Sequence, residues 1–452
     1  MKKFYIDTFG CQMNVYDGIR IADMLKKLAF VQVQDEKEAD VILLNTCHIR
    51  EKAAEKVFSR LGRIKKALEK SGKQVGGEGS QVVIGVIGCV AKAMGKEIFK
   101  RTPYVSIVLS SQRYHLLPDM IDKSFVDLME EGKARNINVD VEDGIEKFDE
   151  LPQLSKSSKV AFLAIQEGCD KFCTYCVVPY TRGREISRPV EAVLKEAKNL
   201  NDLGAVEINL LGQNVDAYHG VDVSGEEKNL AYIIKEVAKL ENVKRIRYTT
   251  SYPTQLGDEL MELHGSEPKL MPLIYLPMQA GSDNVLKTMN RRYTQESYLA
   301  TIDRLKEINP NVQISSDFIV GYVDETDEDF EETLKVVERV GFIQAFSFKY
   351  SRRPGTAGDR MEGGRHVAED IKAERLERLQ ALLKKKQSEF YDSCVGKIMK
   401  VLFEYKGEKT GLWVGRTEYM QPVMVKSDND LEGEILEVEI ESAGHSVLHG
   451  KI

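Results

Sequence analysis

Along the first part of the chain, apolar runs at residues 3–8, 41–45 and 82–87 are each followed by a stretch in which apolar positions recur with helical spacing. That pattern predicts a strand and then a helix, three times over. Each predicted strand ends at a cysteine, in Gly10-Cys11, Thr46-Cys47 and Gly88-Cys89. Alternating strands and helices build parallel sheets, whose carboxyl ends open on one edge, so the three cysteines can converge there. Between the second and third repeats, residues 71–80 are Gly-rich and read as a surface loop.

After a charged, irregular stretch at 130–159 that reads as a linker, a second α/β pattern begins. Strand-like runs recur at 160–165, 206–211, 245–249, 273–276, 313–320 and 345–350, with helical stretches such as 190–203, closed by Gly204, between them. Six such units predict a partial (βα)6 barrel with its chemistry at the carboxyl ends of the strands. A long charged amphipathic helix over 368–391 leads to short alternating strands at 397–404, 411–415, 422–426 and 434–441. These predict a small closed β-barrel of the oligonucleotide-binding kind. The fold class is therefore α/β multidomain: an N-terminal parallel sheet domain, a central partial barrel and a C-terminal all-β barrel.

Composition narrows the function classes. At 452 residues, 42% hydrophobic and 30% charged, the chain has the balance of an ordinary globular protein of about three domains. The most apolar stretch, 82–90, is far too short to span a bilayer, and the opening residues carry no secretory signal, so a cytoplasmic protein is expected. A net charge of −7 gives no general basic field for phosphates, so any RNA site must be local. Seven cysteines in a reducing compartment point to metal ligation or catalysis rather than to disulfides.

Their spacing is the decisive signal. Directly after the strand ending at Ile165, the chain reads Glu167-Gly168-Cys169-Asp170-Lys171-Phe172-Cys173-Thr174-Tyr175-Cys176, a C-x3-C-x2-C arrangement. Three thiolates at these offsets wrap one side of a 4Fe-4S cubane and leave one iron open to a small molecule. A structural zinc site would want a fourth Cys or His nearby, yet the next His is His219 and the next Cys is Cys394. Cys394, at a helix end before Gly396, reads as a packing residue, and His48, beside Cys47, as a loop residue.

The Cys169–Cys173–Cys176 motif, with Tyr175 before its last cysteine, resembles the signature of the radical S-adenosylmethionine (SAM) superfamily. Thr8-Phe9-Gly10-Cys11-Gln12-Met13-Asn14, Asn45-Thr46-Cys47 and Gly88-Cys89 resemble the methylthiotransferases within it. Arg50-Glu51-Lys52-Ala53 and Pro179-Tyr180-Thr181-Arg182-Gly183-Arg184-Glu185 are similar to the MiaB-type branch that acts on tRNA. The resemblance spans the whole chain and implies three domains: a methylthiotransferase domain at 1–145, a radical SAM core at 146–388 and an RNA-binding TRAM domain at 389–452. It implies two 4Fe-4S clusters, an auxiliary one on Cys11, Cys47 and Cys89 and a radical-forming one on Cys169, Cys173 and Cys176. In that scheme one SAM methylates a sulfide on the auxiliary cluster and a second yields the radical that removes the C2 hydrogen of N6-isopentenyladenosine at tRNA position 37, before methylthio transfer. Implied partners are tRNA, an electron donor such as flavodoxin or ferredoxin, and Fe-S and sulfur delivery proteins, with no membrane and a monomeric state. Other readings are action on threonylcarbamoyladenosine or a ribosomal protein, and, in a different class, an iron-sulfur RNA-binding sensor without chemistry.

Further contacts follow from the resemblance. Besides Tyr175, the SAM contacts would come from Gly212-Gln213-Asn214 after the second barrel strand, Gln279, Gly281 and Ser282 after the fourth, and Asp317, Gly321 and Glu325 on the fifth. Strand-to-helix turns favour the same residues, so Asn214 could equally be a helix cap and Gln279-Ala280-Gly281-Ser282 a turn. Where the family usually reads Gly-Phe-Pro-Gly-Glu-Thr, this chain has Val323 and Asp324, without the Pro-Gly pair that presets a tight turn. Arg182, Arg184, Arg188, Arg291 and Arg292, near strand ends, are candidate tRNA phosphate contacts, weighed against plain solvated charge. Arg416, within Trp413-Val414-Gly415-Arg416-Thr417, is the candidate in the terminal barrel, whose acidic stretch 428–441 argues against tight RNA binding by that barrel alone.

Overall fold

Six strands, rather than the expected three, build the N-terminal sheet. They are β1 (Lys3–Thr8), β2 (Val31–Gln32), β3 (Val41–Thr46), β4 (Val83–Gly88), β5 (Ile107–Leu109) and β6 (Asn136–Asn138), all parallel in the order β2-β1-β3-β4-β5-β6. The three extra strands are two or three residues long, too short to carry a periodic signal, and β6 falls inside the stretch expected to be linker. The computed structural model describes residues 1–48, 53–76, 79–140, 153–361, 364–408 and 411–452. Arg50, Glu51 and Lys52, the expected boundary at 145, and much of the 130–159 stretch lie outside the described residues.

Every residue of β3 and β4 is buried, as parallel strands covered on both faces must be. Val41, Leu43, Val83 and Ile87 pack with Ile21 and Leu25 of α1 (Gln12–Lys27) on one face. Ile42, Leu44, Ile84 and Val86 pack with Val57, Leu61 and Ile64 of α2 (Ala53–Lys70) on the other. Because β1, β3 and β4 are neighbours, the turns that follow them put Cys11, Cys47 and Cys89 along one stretch of sheet edge.

By contact density the chain forms two compact units: residues 1–155 with 166–170 and 176–188, and residues 156–165 and 171–175 with 189–452. In the second unit, Val160–Ala164, Glu207–Leu211 and Arg245–Thr249 form one parallel sheet, and Leu273–Tyr275, Gln313–Val320 and Gln344–Lys349 another. An isolated parallel bridge from Ile246 to Leu270 carries the first toward the second. The six strands follow chain order, with Val160–Ala164 and Gln344–Lys349 as outer strands, the open barrel expected from the pattern. Local chemistry marks the helix ends. Asp327–Val340 begins at a capping box between Thr326 and Asp329 and stops at Gly341, whose φ of 67° is the left-handed geometry that favours glycine.

The C-terminal strands Ile398–Lys406, Leu412–Arg416, Pro422–Lys426, Leu448–Lys451 and Ile435–Ala443 close into a barrel. The fifth, Leu448–Lys451, pairs in parallel with Pro422–Lys426, and its Leu-His-Gly-Lys sequence lacks the alternation that would announce it. Val401, Phe403, Trp413, Val425, Ile440 and Leu448 fill its core together with Cys394. Two arginines of the strand Arg245–Thr249 hold this barrel. Arg245 donates to the carbonyls of Arg416 (2.9 Å) and Lys400 (2.8 Å), while Arg247 donates to those of Glu418 (2.8 Å) and Thr417 (3.2 Å) and pairs with Glu207 (3.1 Å). Arg247 and Glu207 are both buried. Substituting Arg247→Met leaves Glu207 buried without this partner and two carbonyls without donors, so a loss of about 3 kcal/mol is expected. Amide hydrogen exchange should speed up in residues 412–426, and unchanged exchange there would contradict the contact's importance. Among the described residues no helix is long and apolar enough to cross a membrane.

Candidate functional site

The N-terminal triad is built by turns that only certain residues can make. Gly10 adopts φ +125°, and a Cβ there would lie 2.2 Å from the Cβ of Cys47; Gly88, before Cys89, has φ +91° and would strike the Thr46 carbonyl at 2.6 Å. Glycine thus lets the three turns crowd together. Two buried asparagines lock them: Asn14 Nδ2 donates to Asn45 Oδ1 (3.0 Å) and the Thr46 carbonyl (3.1 Å), and Asn45 Nδ2 returns to the Asn14 carbonyl (2.7 Å). Cys11 Sγ lies 3.2 Å from Asn14 Oδ1. Both asparagines sit within the motifs noted from sequence, but their joint burial was not visible there.

Electrostatics favour a thiolate at Cys11. A hydrogen bond from Cys47, the charge of Arg182 and backbone N–H groups at the start of α1 outweigh burial and bring its pKa down to about 6. Burial pushes the Cys89 thiol up, partly offset by Arg182. All the cysteines are free thiols. Among the described residues no three His, Cys, Asp or Glu donors close around a single point, and a cubane does not ask for that, since each of its thiolates takes a different iron. Glycine-crowded cysteines at neighbouring strand ends, with Cys47 and Cys89 buried and Cys11 biased toward the thiolate, suit the auxiliary cluster.

The second cysteine loop is shaped just as tightly. Gly168 has φ +79°, and a Cβ would meet the Arg184 carbonyl oxygen at 1.8 Å. Gln166–Glu167 pairs antiparallel with Ile186–Ser187, closing the loop's base, and the Cys169 N–H donates to the Gly183 carbonyl (3.3 Å). Cys176 Sγ accepts from the Val178 N–H (3.4 Å). Midway, Phe172 sits in the left-handed region at φ 47°, its carbonyl held by Asn290 Nδ2 (3.1 Å). The Thr174 N–H donates to the Met289 carbonyl (3.0 Å), and the Thr174 and Tyr322 hydroxyls share a hydrogen bond (2.6 Å). Arg291 Nη1 donates to Cys173 Sγ (3.4 Å) and Nη2 to the Pro277 carbonyl (2.8 Å). Cys169 and Cys176 thereby belong to the first compact unit, with Cys11, Cys47 and Cys89, and Cys173 to the second.

The expected SAM segments lie beside the barrel strand ends, most of them hydrogen-bonded within the protein. Asn214 precedes the short helix Val215–Ala217 but makes no side-chain cap; its Nδ2 donates to Gln255 Oε1 (2.7 Å), with Gly212 buried beside it and Gln213 half-buried. Gln279, at φ 74°, exchanges backbone bonds with Asp317 (2.9 Å) and Ile319 (2.8 Å), and the Tyr275 hydroxyl donates to the Asp317 carboxylate. Tyr175 packs its ring edge-on to Tyr322, centroids 6.4 Å apart. Other residues are committed to structure. Gly281 lies against the helix Asp327–Val340, a Cβ meeting the Thr333 Cα at 2.4 Å, and Ser282 caps Asp283–Thr288 while donating to Asp329. Glu325, expected to contact SAM, accepts from the Gly321 N–H (2.8 Å) and pairs with Arg375 (2.6 Å), both carboxylate and guanidinium buried. It closes its own loop, because burial demands a partner for its charge. Asp324 stands at the glycine position of the family turn and itself adopts φ 64°, with the Arg365 N–H donating to its Oδ1 (2.7 Å).

The candidate tRNA contacts lie in different surroundings. Arg182 is only 3% exposed, its guanidinium bound by Glu167 (2.9 Å) and Asp17 (3.1 Å). Arg188 is equally buried. Arg291 is turned onto Cys173 and the rings of Tyr252 and Tyr293. Arg182 and Arg188 are thus shielded from solvent, and Arg291 is engaged within the protein. Arg184, beside Asp170 (2.9 Å), and Arg292 are exposed, and Arg416, beside Glu404 (3.0 Å), is half-exposed.

Comparison with known proteins places these parts. Residues 3–110 match the uncharacterized protein family UPF0004, 163–337 the radical SAM superfamily and 392–452 the TRAM domain. The chain is 50% identical over 454 residues, all of its own length and 99% of the relative's, to a tRNA-2-methylthio-N(6)-dimethylallyladenosine synthase of Rickettsia rickettsii. A protein of the same name from Wolbachia pipientis is 48% identical over 455 residues, with the same coverage. Among solved structures, the radical SAM methyltransferase TsrM from Kitasatospora setae superposes with a TM-score of 0.55 at 12% identity, over 91% of this chain and 80% of that one. The cobalamin-dependent radical SAM enzyme OxsB gives 0.53 at 14% identity, over 85% and 56%. At such identities these two structures establish the fold alone.

Proposed function

The chain belongs to the tRNA-2-methylthio-N(6)-dimethylallyladenosine synthase family of radical SAM methylthiotransferases, and on that premise we propose the chemistry of its own site. It is an enzyme that converts N6-isopentenyladenosine beside the tRNA anticodon to its 2-methylthio derivative, using SAM and 4Fe-4S clusters. Cys169, Cys173 and Cys176 hold one cluster and Cys11, Cys47 and Cys89 the other. Bound there, the first supplies the electron that cleaves SAM and the second the sulfur that is transferred.

The chain's own residues do the positioning. Gln213, Asn214, Gln279 and Asp317, beside barrel strand ends, orient SAM, with Tyr175 against it. The Tyr275 hydroxyl fixes the Asp317 carboxylate. Arg291 steadies the Cys173 sulfur. Arg184, Arg292 and Arg416 remain as the phosphate contacts. The domains divide at 145 and 388, and the partners are tRNA, a flavodoxin- or ferredoxin-like donor and sulfur-delivery proteins, acting on a cytoplasmic monomer.

The observation that carries this reading is the presence of both incomplete cysteine triads in a chain half-identical, end to end, to such a synthase. The test is nucleoside analysis of tRNA from a strain lacking the gene. The 2-methylthio nucleoside should vanish, its unmodified precursor accumulate, and plasmid-borne protein restore it. Persistence of the nucleoside would overturn the substrate assignment.

A further inference from the structure

Arg182 joins three cysteine-bearing elements of the first unit. Asp17, which it meets at 3.1 Å, lies on α1, whose N-terminal turn carries Cys11. Glu167, at 2.9 Å, lies two residues before Cys169. Arg182 itself ends the short helix Val178–Thr181 that follows Cys176, and that helix packs on Cys89–Met94, so that the Arg182 charge favours the thiolates of Cys89 and Cys11. Its backbone is pinned too, the carbonyl accepting from Gln112 Nε2 (2.8 Å).

A buried guanidinium costs much desolvation, which two carboxylates alone would repay only if their own burial were worthwhile. All three charged groups are almost wholly shielded from water. The two carboxylates already outweigh the guanidinium, so the use of its positive charge is local, toward a negative charge on the cysteine side. Three thiolates around an iron-sulfur cubane are such a charge, and the potential of a cluster rises with nearby positive charge and with hydrogen bonds to its sulfurs. In a poorly screened interior this influence is strong.

We propose that Arg182 is a positioning residue for the auxiliary centre, a clasped cation that raises the reduction potential of the cluster on Cys11, Cys47 and Cys89. This rests on the cofactor assignment above. Asp17 acts in the opposite sense, as a fixed anion that moderates the cation while aiming it.

The experiment uses the full chain carrying C169A, C173A and C176A, so that only the auxiliary centre can assemble. After anaerobic reconstitution with iron and sulfide, iron is counted and the potential is read by redox titration followed by electron paramagnetic resonance. Against this parent, Arg182→Gln should move the potential to more negative values, Arg182→Lys should stay near the parent, and Asp17→Asn should move it to more positive values. A merely structural clamp would not produce shifts of opposite sign. An unmoved or raised potential in R182Q overturns the proposal. Should R182Q take up no iron, D17N decides alone, and an unmoved or lowered potential there overturns it equally. A parent without about four irons per chain would instead refute the cofactor assignment itself.

Discussion

Replacing Cys173 with alanine is expected to abolish 5'-deoxyadenosine formation from SAM under dithionite, by more than about 10³-fold, and to remove about four irons per chain. The reason is local. Cys173 is a buried thiol whose sulfur receives the Arg291 guanidinium at 3.4 Å, and without it the loop offers two thiolates where three are needed. The fold should survive, because losing one sulfur atom from a site braced by the Thr174, Phe172 and Asn290 hydrogen bonds costs about 1 kcal/mol. Cys394→Ala is the matched control. That cysteine is just as buried, but in the C-terminal barrel core, so iron content and SAM cleavage should stay at the parent level. Parallel losses in both variants would mean that instability, not ligation, explains the first.

Cys89→Ala should separate the two halves of the reaction. It also removes about four irons per chain, yet SAM cleavage should persist while formation of the 2-methylthio nucleoside falls below about a thousandth of the parent rate. Cys89 begins its helix at the end of β4, beside Cys11 and Cys47, and none of these three lies in the C-x3-C-x2-C loop. Assays of both products on one preparation decide the matter. If cleavage and transfer decline in the same proportion, the N-terminal triad is not a separate sulfur-bearing centre.

The strongest signals in the chain were short-range. The cysteine spacing at 169–176, the strand-to-cysteine junctions at 10–11, 46–47 and 88–89, and the six barrel strands each depend on residues within a few positions of one another. The helix at Glu369–Asp392 was legible in the same way, from one long amphipathic stretch. Short strands escaped. Val31–Gln32 and Leu448–Lys451 become strands because a neighbour presents an unpaired edge to them, and no pattern within such brief segments records that. The TRAM-like barrel was foreseen, but its attachment through Arg245 and Arg247 was not, since the carbonyls they bind lie some 155–171 positions further on.

Charge proved the least readable property. Arg182 and Arg184 are separated by one residue, yet the first is enclosed by Asp17 and Glu167 and the second lies in the open beside Asp170. Glu325, expected to contact SAM, secures its own loop through Arg375, fifty positions away. By itself the sequence determined the backbone's local habits and the thiolate sets, because periodicity, turn residues and ligand spacing act over a few residues. Only the tertiary structure decided which arginines face water and which face sulfur, because the energy of a charge depends on the distant segments that wrap it and exclude solvent.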